Sequence, residues 1–253
     1  MIVFITGASS GFGAAIARRF AKESHQIIAV GRRQDRLDAL AKEIGRERVL
    51  TLVLDVRERE AVMSAVAGLP KAFADVSLLV NNAGLALGLE PAQSARLDAW
   101  DEMVDTNVKG LMYVTRALLP GMVARNQGHV VNMGSIAGTY AYPGGNVYGA
   151  SKAFVRQFSL NLRADLIGTK VRVTDIEPGL VGGTEFSSVR FGGDAERVAK
   201  MYQGADALTP EDVAEAVHWV ASLPARVNIN SVEMMPVTQT FGALPVHRTA
   251  TDR

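Results

Sequence analysis

Short, continuously apolar runs rich in β-branched residues alternate with segments of helical periodicity along almost the whole chain. This alternation constrains the fold more than any other feature. The runs fall at 2–6 (IVFIT), 26–30, 49–54, 76–80, 129–133, 171–176 and, more weakly, 231–235. Strands that are apolar at every position, not at every second one, are covered on both faces, as in parallel sheets. Between them, apolar residues recur at helical spacing over 13–24, 34–45, 57–69, 100–125, 147–167 and 210–222. Strand–helix alternation of this kind predicts a doubly wound parallel sheet of about seven strands with helices on both faces. No linker or repeat divides the chain, so residues 1–253 are read as a single domain of Rossmann type.

At 253 residues and 48% hydrophobic content, the chain can bury a large core without staples. Its 27 basic and 26 acidic residues leave a net charge of +1, which gives no electrostatic reason to expect nucleic acid or an acidic membrane as partner. Without cysteine there are no disulfides and no thiolate chemistry, which is compatible with a reducing compartment. The opening MIVFITG has neither a basic segment nor a long apolar one, so it is not read as a signal peptide. No apolar run approaches the ~20 residues of a membrane span. A cytoplasmic protein is expected.

The first run leads directly into TGASSGFG and then into a helical segment. Glycine at 7 permits a tight turn, at 11 close approach of a ligand, and at 13 close helix–strand packing, while the helix N-terminus suits a pyrophosphate. Gly7, Ala8, Ser9, Ser10, Gly11, Phe12 and Gly13 are therefore read as a nucleotide cradle, although a glycine cluster can also be a plain turn. After the second run, where an NAD site offers an acid to the ribose, the chain carries Arg32 and Arg33. Guanidinium forks suit a 2′-phosphate, which predicts NADP over NAD. Asp55, followed by Val56, closes the third run, poised for an adenine edge or as a cap for the next helix. Asn81, Asn82, Ala83 and Gly84 close the fourth, where small residues let the backbone lie against a ribose.

Tyr148 and Lys152 stand four apart with only Gly149, Ala150 and Ser151 between them. On a helix they share one face, so phenol and ammonium can point to one place. A tyrosine at the rim of a core stripe beside a solvated lysine would show the same spacing. Ser135 follows the fifth strand, and Asn107 lies in a helical segment where asparagine competes for the backbone.

Taken in order, Thr6-Gly7…Gly11-x-Gly13, Asn81-Asn82-Ala83-Gly84, Asn107 in DTNVKG, Ser135 in NMGSIAG, Tyr148-x-x-x-Lys152 and Pro178-Gly179 resemble the short-chain dehydrogenase/reductase family along essentially the whole chain. Within it, GRRQDRL, NNAGLALGLEPA, GGNVYGASKAFVRQFSLNLR, DIEPGLVGGTEFSSVRF and the closing EMMPVTQTFGALPVHR are similar to the NADP-dependent 3-hydroxy acid dehydrogenases, a group that includes enzymes acting on serine and L-allo-threonine. The resemblance implies a catalytic set of Asn107, Ser135, Tyr148 and Lys152. Tyr148 would be the acid/base, Ser135 would hold the substrate oxygen, and Asn107 would hold a water in a proton relay to Lys152. It also implies cofactor contacts at Pro178, Gly179, Val181 and Thr184, besides Tyr148 and Lys152. A homotetramer packed through the two long helices is implied as well.

A tyrosine with a pKa near 10 is a poor base at neutral pH, and a neighbouring ammonium favours its phenolate. Lys152 is therefore expected to acidify Tyr148. The Gly- and Ser-rich stretch 179–208 is read as a mobile substrate lid over about 180–208, with a tolerated surface loop as the alternative. A hydroxy acid needs an anchor for its carboxylate. Arg190 is the candidate, with backbone N–H groups of Gly182 and Gly183 in support. Ser135 and Tyr148 complete the expected substrate contacts, and Tyr140 and Tyr142 are candidates for the pocket wall. The four histidines (25, 129, 218, 247) lack metal spacing, so no metal is implied. The expected activity is hydride transfer between NADP(H) and the 3-hydroxyl of short 3-hydroxy acids such as serine, L-allo-threonine or 3-hydroxypropionate. Alternatives are reduction of another carbonyl, such as a 3-ketoacyl thioester, or a non-catalytic NADPH sensor.

Overall fold

The computed structural model describes residues 1–241; the segment 242–248 and His247 invoked above lie outside the described residues. All seven expected strands form: β1 (Ile2–Thr6), β2 (Gln26–Gly31), β3 (Val49–Val53), β4 (Leu78–Asn81), β5 (Gly128–Met133), β6 (Val171–Pro178) and β7 (Ser231–Met234). They make one sheet in the order β3-β2-β1-β4-β5-β6-β7, and every pairing is parallel. The chain reverses its direction of winding between β1 and β4, so the crevice above their carboxyl ends is the place for a ligand.

The helices are α1 (Gly11–Ala21), α2 (Gln34–Ile44), α3 (Arg59–Ala67), α4 (Leu97–Val104), α5 (Leu111–Ala124), α6 (Asn146–Asp165), α7 (Phe186–Arg190), α8 (Ala195–Tyr202) and α9 (Pro210–Ser222). Alternate residues of β1 explain why it reads as uniformly apolar. Val3 and Ile5 pack with Ile16 and Phe20 of α1 and Val213 and Val217 of α9, whereas Phe4 packs with Val62, Val114, Leu118 and Leu162 of α3, α5 and α6. Each such side chain contributes about 1.5–3 kcal/mol when fully buried. The start of α9 is set locally: Thr209 and Asp212 cap each other reciprocally, and Pro210 occupies the first turn.

Two expectations are corrected. The helix expected over 100–125 is divided into α4 and α5 by a π-helical turn, Asp105–Gly110, centred on Asn107. Such turns widen a helix by one residue and cluster at functional sites. The expected loop at 180–208 contains the two short helices α7 and α8, and a parallel bridge between Val181 and Leu208 closes its base. The glycines of the stretch flank these helices while Ser187 and Ser188 lie inside α7, so composition alone gave no sign of them. Asp194 caps α8 by accepting from the Arg197 N–H.

Candidate active site

The crevice holds two adjoining cavities. The first, about 310 Å³, is lined by the loop after β1 and the ends of β2, β3 and β4. Gly7 adopts φ +67°, and a Cβ there would lie 2.8 Å from Asn82 Nδ2; one at Gly13 would lie 2.4 Å from the Gly7 carbonyl oxygen. Neither position tolerates a side chain. The Thr6 hydroxyl accepts from the N–H groups of Asn82 and Ala83, both at 2.9 Å, which laces the end of β4 to the end of β1.

Gly7, Ser9, Ser10, Gly11, Phe12, Arg32, Arg33, Asp55, Val56, Asn82, Ala83, Gly84 and Thr184 all line this cavity. Three of the contacts expected between residues 7 and 84 do not. Ala8 is fully buried in the core, Gly13 lies within α1 against the Gly7 backbone, and Asn81 turns inward. The Asn81 amide donates to Thr115 Oγ1 at 2.9 Å and to Asn132 Oδ1 at 2.8 Å, inside the core. Asp55 does not stand free either: Arg57 reaches its Oδ2 at 2.6 Å and also donates its backbone N–H to Oδ1 at 3.0 Å. It does not cap α3, whose N-cap is Glu58.

Arg33 spans the loops. Its Nη2 donates to Ser10 Oγ at 2.8 Å, and its Nη1 pairs with Glu185 of the lid at 2.9 Å. Arg36 reaches the same carboxylate at 3.6 Å. Glu185 and Arg36 were not singled out from the sequence. The only signal was the third arginine of GRRQDR. Arg32 is more exposed and lies 3.9 Å from Asp55. The narrow glycine cradle and the cationic mouth fit a dinucleotide with a 2′-phosphate.

The second cavity, about 370 Å³, is lined by Ser135, Tyr142, Tyr148, Pro178, Gly179, Val181 and Arg190, with Met201 and Tyr202 from α8. It shares Phe12, Thr184 and Phe186 with the first. Gly182 and Gly183 line neither cavity, and the Gly182 N–H donates to Leu208 O at 2.8 Å. Arg190, by contrast, is 8% exposed, donates to Tyr142 Oη at 2.8 Å and to Gly88 O at 3.1 Å, and lies 5.5 Å from the Tyr148 ring centre. Tyr148 and Arg190, 42 positions apart in the chain, are brought together by α7 folding over the crevice.

Tyr148 and Lys152 share one face of α6 and are both buried, with Lys152 Nζ 5.8 Å from the Tyr148 ring centre. Lys152 donates to Met133 O at 2.7 Å. A Cβ on Gly84 would sit 3.2 Å from Asn107 Oδ1 and 3.6 Å from Lys152 Nζ, which puts the end of β4, the π turn and α6 in one corner. Asn107 is fully engaged. It accepts from Leu85 N at 2.9 Å and donates to Leu85 O and Ser151 Oγ at 2.9 and 3.0 Å. Its side chain thus locks the turn.

Burial pushes the Tyr148 phenol up to about 12, and Ser135 and then Arg190 pull against this. Burial also pushes Lys152 down to about 8, opposed by Asp175. Desolvation outweighs the opposing neighbours for both groups.

The short chain dehydrogenase family matches residues 1–191. The NADP-dependent 3-hydroxy acid dehydrogenase of Salmonella typhi is 66% identical over 248 residues, covering 98% of this chain and 100% of the relative. The serine 3-dehydrogenase of Rhizobium radiobacter is 51% identical over 246 residues, covering 97% and 98%. Among solved structures, the closed form of a serine dehydrogenase complexed with NADP+ superposes with a TM-score of 0.97 at 61% identity, covering 98% of this chain and 100% of that one. The Escherichia coli serine dehydrogenase gives 0.85 at 57% identity, covering 95% and 100%. With the family matched over three quarters of its length and the doubly wound sheet in place, this chain belongs to the short-chain dehydrogenases.

Proposed function

We propose that this protein is an NADP-dependent dehydrogenase of short 3-hydroxy acids, interconverting the 3-hydroxyl and 3-keto groups of substrates such as serine, L-allo-threonine or 3-hydroxypropionate. The observation that supports this best is the placement of a buried guanidinium, Arg190, in the same cavity as the phenol of Tyr148. One group suits a carboxylate and the other a hydroxyl proton. The likeness to NADP-dependent relatives acting on 3-hydroxy acids and serine points the same way.

When bound, the nicotinamide cofactor supplies the hydride acceptor or donor and, in its oxidised form, a positive charge. The protein does the rest. Tyr148 takes the hydroxyl proton on oxidation and returns it on reduction. Ser135 hydrogen-bonds the substrate oxygen beside it, and Arg190 fixes the carboxylate so that the reacting carbon is held. Lys152 holds its ammonium in the corner between Gly84 and Met133, where it favours the phenolate over the buried phenol. Phe186, Met201 and Tyr202 cover the cavity and exclude water. Residues 180–208 act as the lid, Arg32, Arg33 and Arg36 select the 2′-phosphate, and residues 1–253 form one catalytic domain.

Met112 and Val123 of α5 and Leu160 of α6 are exposed apolar residues through which a homotetramer would assemble, in the cytoplasm. Absorbance at the NADPH band with L-serine, L-allo-threonine and 3-hydroxypropionate tests the reading. Turnover with at least one acid, faster with NADP than with NAD, is expected. Tight NADPH binding without turnover of any would refute it.

A further inference from the structure

A buried acidic pair lies behind the reaction site and has no part in the chemistry derived above. Asp175 and Glu177 are 1% and 2% exposed and stand two apart on β6, so both face α6. Residues two apart on a strand are about 6.6 Å apart. On α6, Lys152 and Arg156 are one turn apart, about 6 Å along the axis. The spacings match, so packing α6 on β6 lays two cations over two carboxylates. Arg156 Nε lies 3.5 Å from Glu177 Oε1, which also accepts from Ser231 Oγ at 2.9 Å. At the other rung, Lys152 donates to Met133 O at 2.7 Å, and a Cβ on the next residue, Gly134, would lie 2.5 Å from Asp175 Oδ1. Ammonium and carboxylate flank one peptide.

Asp175 is the anomaly. Among the described residues neither of its carboxylate oxygens accepts at full hydrogen-bond geometry; the Gly134 N–H and the Glu177 carboxyl are the polar groups close enough to act on it. Burying such a group destabilises the fold, and a neutral replacement of the same shape is normally tolerated or stabilising. Packing therefore does not account for it. Its position beside Lys152 does.

We propose that Asp175 and Glu177 are a positioning pair for the dehydrogenase reaction: charge on Asp175 keeps Lys152 an ammonium beside Tyr148, and Glu177 limits how far Asp175 ionises. The proposal rests on the dehydrogenase reading above. Burial works against the Lys152 ammonium, and Asp175 is the group that opposes it. Burial and then Glu177 hold the Asp175 carboxyl well above the usual carboxylate range, while Lys152 pulls it back. The remaining charged or titratable neighbours are Arg156 on α6, Glu233, which faces Glu177 in the β7 register, and Tyr140, which donates to Glu233 at 3.1 Å.

The pair predicts opposite effects for two isosteric variants. In Asp175→Asn, Lys152 loses its counter-charge and deprotonates at lower pH, so the alkaline limb of kcat/KM for hydroxy acid oxidation moves to lower pH by about half a unit or more. In Glu177→Gln, Asp175 ionises more readily and supports the ammonium further, so the same limb moves to higher pH. Titration of Lys152 by NMR of 13C-labelled lysine should move in the same two directions without any turnover. Because the folded-state pKa of Asp175 is raised from 3.8 to about 8, its ionisation costs stability progressively as pH rises across that window, and Asp175→Asn should flatten the fall in melting temperature between about pH 4 and 8. Absence of wild-type turnover would defeat the dehydrogenase reading and leave the lysine titration to decide the pair. Limbs and titrations that stay put, or that shift in one common direction in both variants, would overturn the proposal.

Discussion

Replacing Arg190 by alanine separates recognition of the substrate's charge from the rest of the reaction. The guanidinium is 8% exposed and held by Tyr142 Oη and Gly88 O, so it is preorganised and sheltered from bulk solvent. A hydrogen bond to a charged group contributes about 1.5–3 kcal/mol in such a setting. At 1.36 kcal/mol per decade, Arg190→Ala should lower kcat/KM for 3-hydroxypropionate about 10–150-fold, chiefly through KM. The comparison substrate is 3-hydroxypropionamide, which has the same shape without the charge. Its kcat/KM should fall far less, so the wild-type preference for acid over amide should nearly vanish. Because Arg190 also pulls the Tyr148 phenol down against burial, the variant's oxidative activity should require higher pH than the wild type. The assay is initial-rate kinetics at the NADPH band across pH, with NADPH affinity measured separately by fluorescence. An unchanged KM for the acid, or equal losses for acid and amide, would refute the role given to Arg190.

Tyr148→Phe should reduce kcat by at least the 10²–10⁴ typical of general acid–base catalysis while leaving NADPH binding nearly intact; activity within about tenfold of wild type would remove the phenol from the mechanism. Arg33→Ala should raise the KM for NADP about tenfold or more and leave that for NAD nearly unchanged, because the lost contact is to the 2′-phosphate; equal losses with both cofactors would instead mark Arg33 as a brace for Ser10 and Glu185. His129 is buried against Thr174, and burial depresses its pKa from 6.5 to about 3. A depressed folded pKa means that stability is present above pH 6.5 and lost as pH falls towards 3, at about 1.36 kcal/mol per unit. Urea unfolding of His129→Gln should show a shallower acid loss; a slope identical to wild type would exclude His129 as its source.

Much of the site was legible because it is local. The glycine loop, the arginines after β2, the small residues after β4 and the Tyr148–Lys152 pair each reveal themselves within a few residues, through φ preference, charge or helical period. The errors have one origin as well. Asn81 and Asn82 are neighbours in sequence, yet a strand sends successive side chains to opposite faces. Asn82 therefore lines the crevice while Asn81 enters the core. Gly182 looked free for a carboxylate until Leu208, 26 residues on, took its N–H.

By itself the sequence determined the order of strands and helices, the sidedness of the sheet and the identity of the cofactor cradle, since period and local backbone preference act over one or two turns of chain. Only the tertiary structure decided that α7 carries Arg190 to the Tyr148 ring and that Asp175 is buried behind the Lys152 corner. It also decided that burial raises the Tyr148 phenol against the pull of Ser135 and Arg190. Those outcomes depend on desolvation and on contacts between residues distant in the chain, and neither exists until the sheet has assembled and the lid has packed against it.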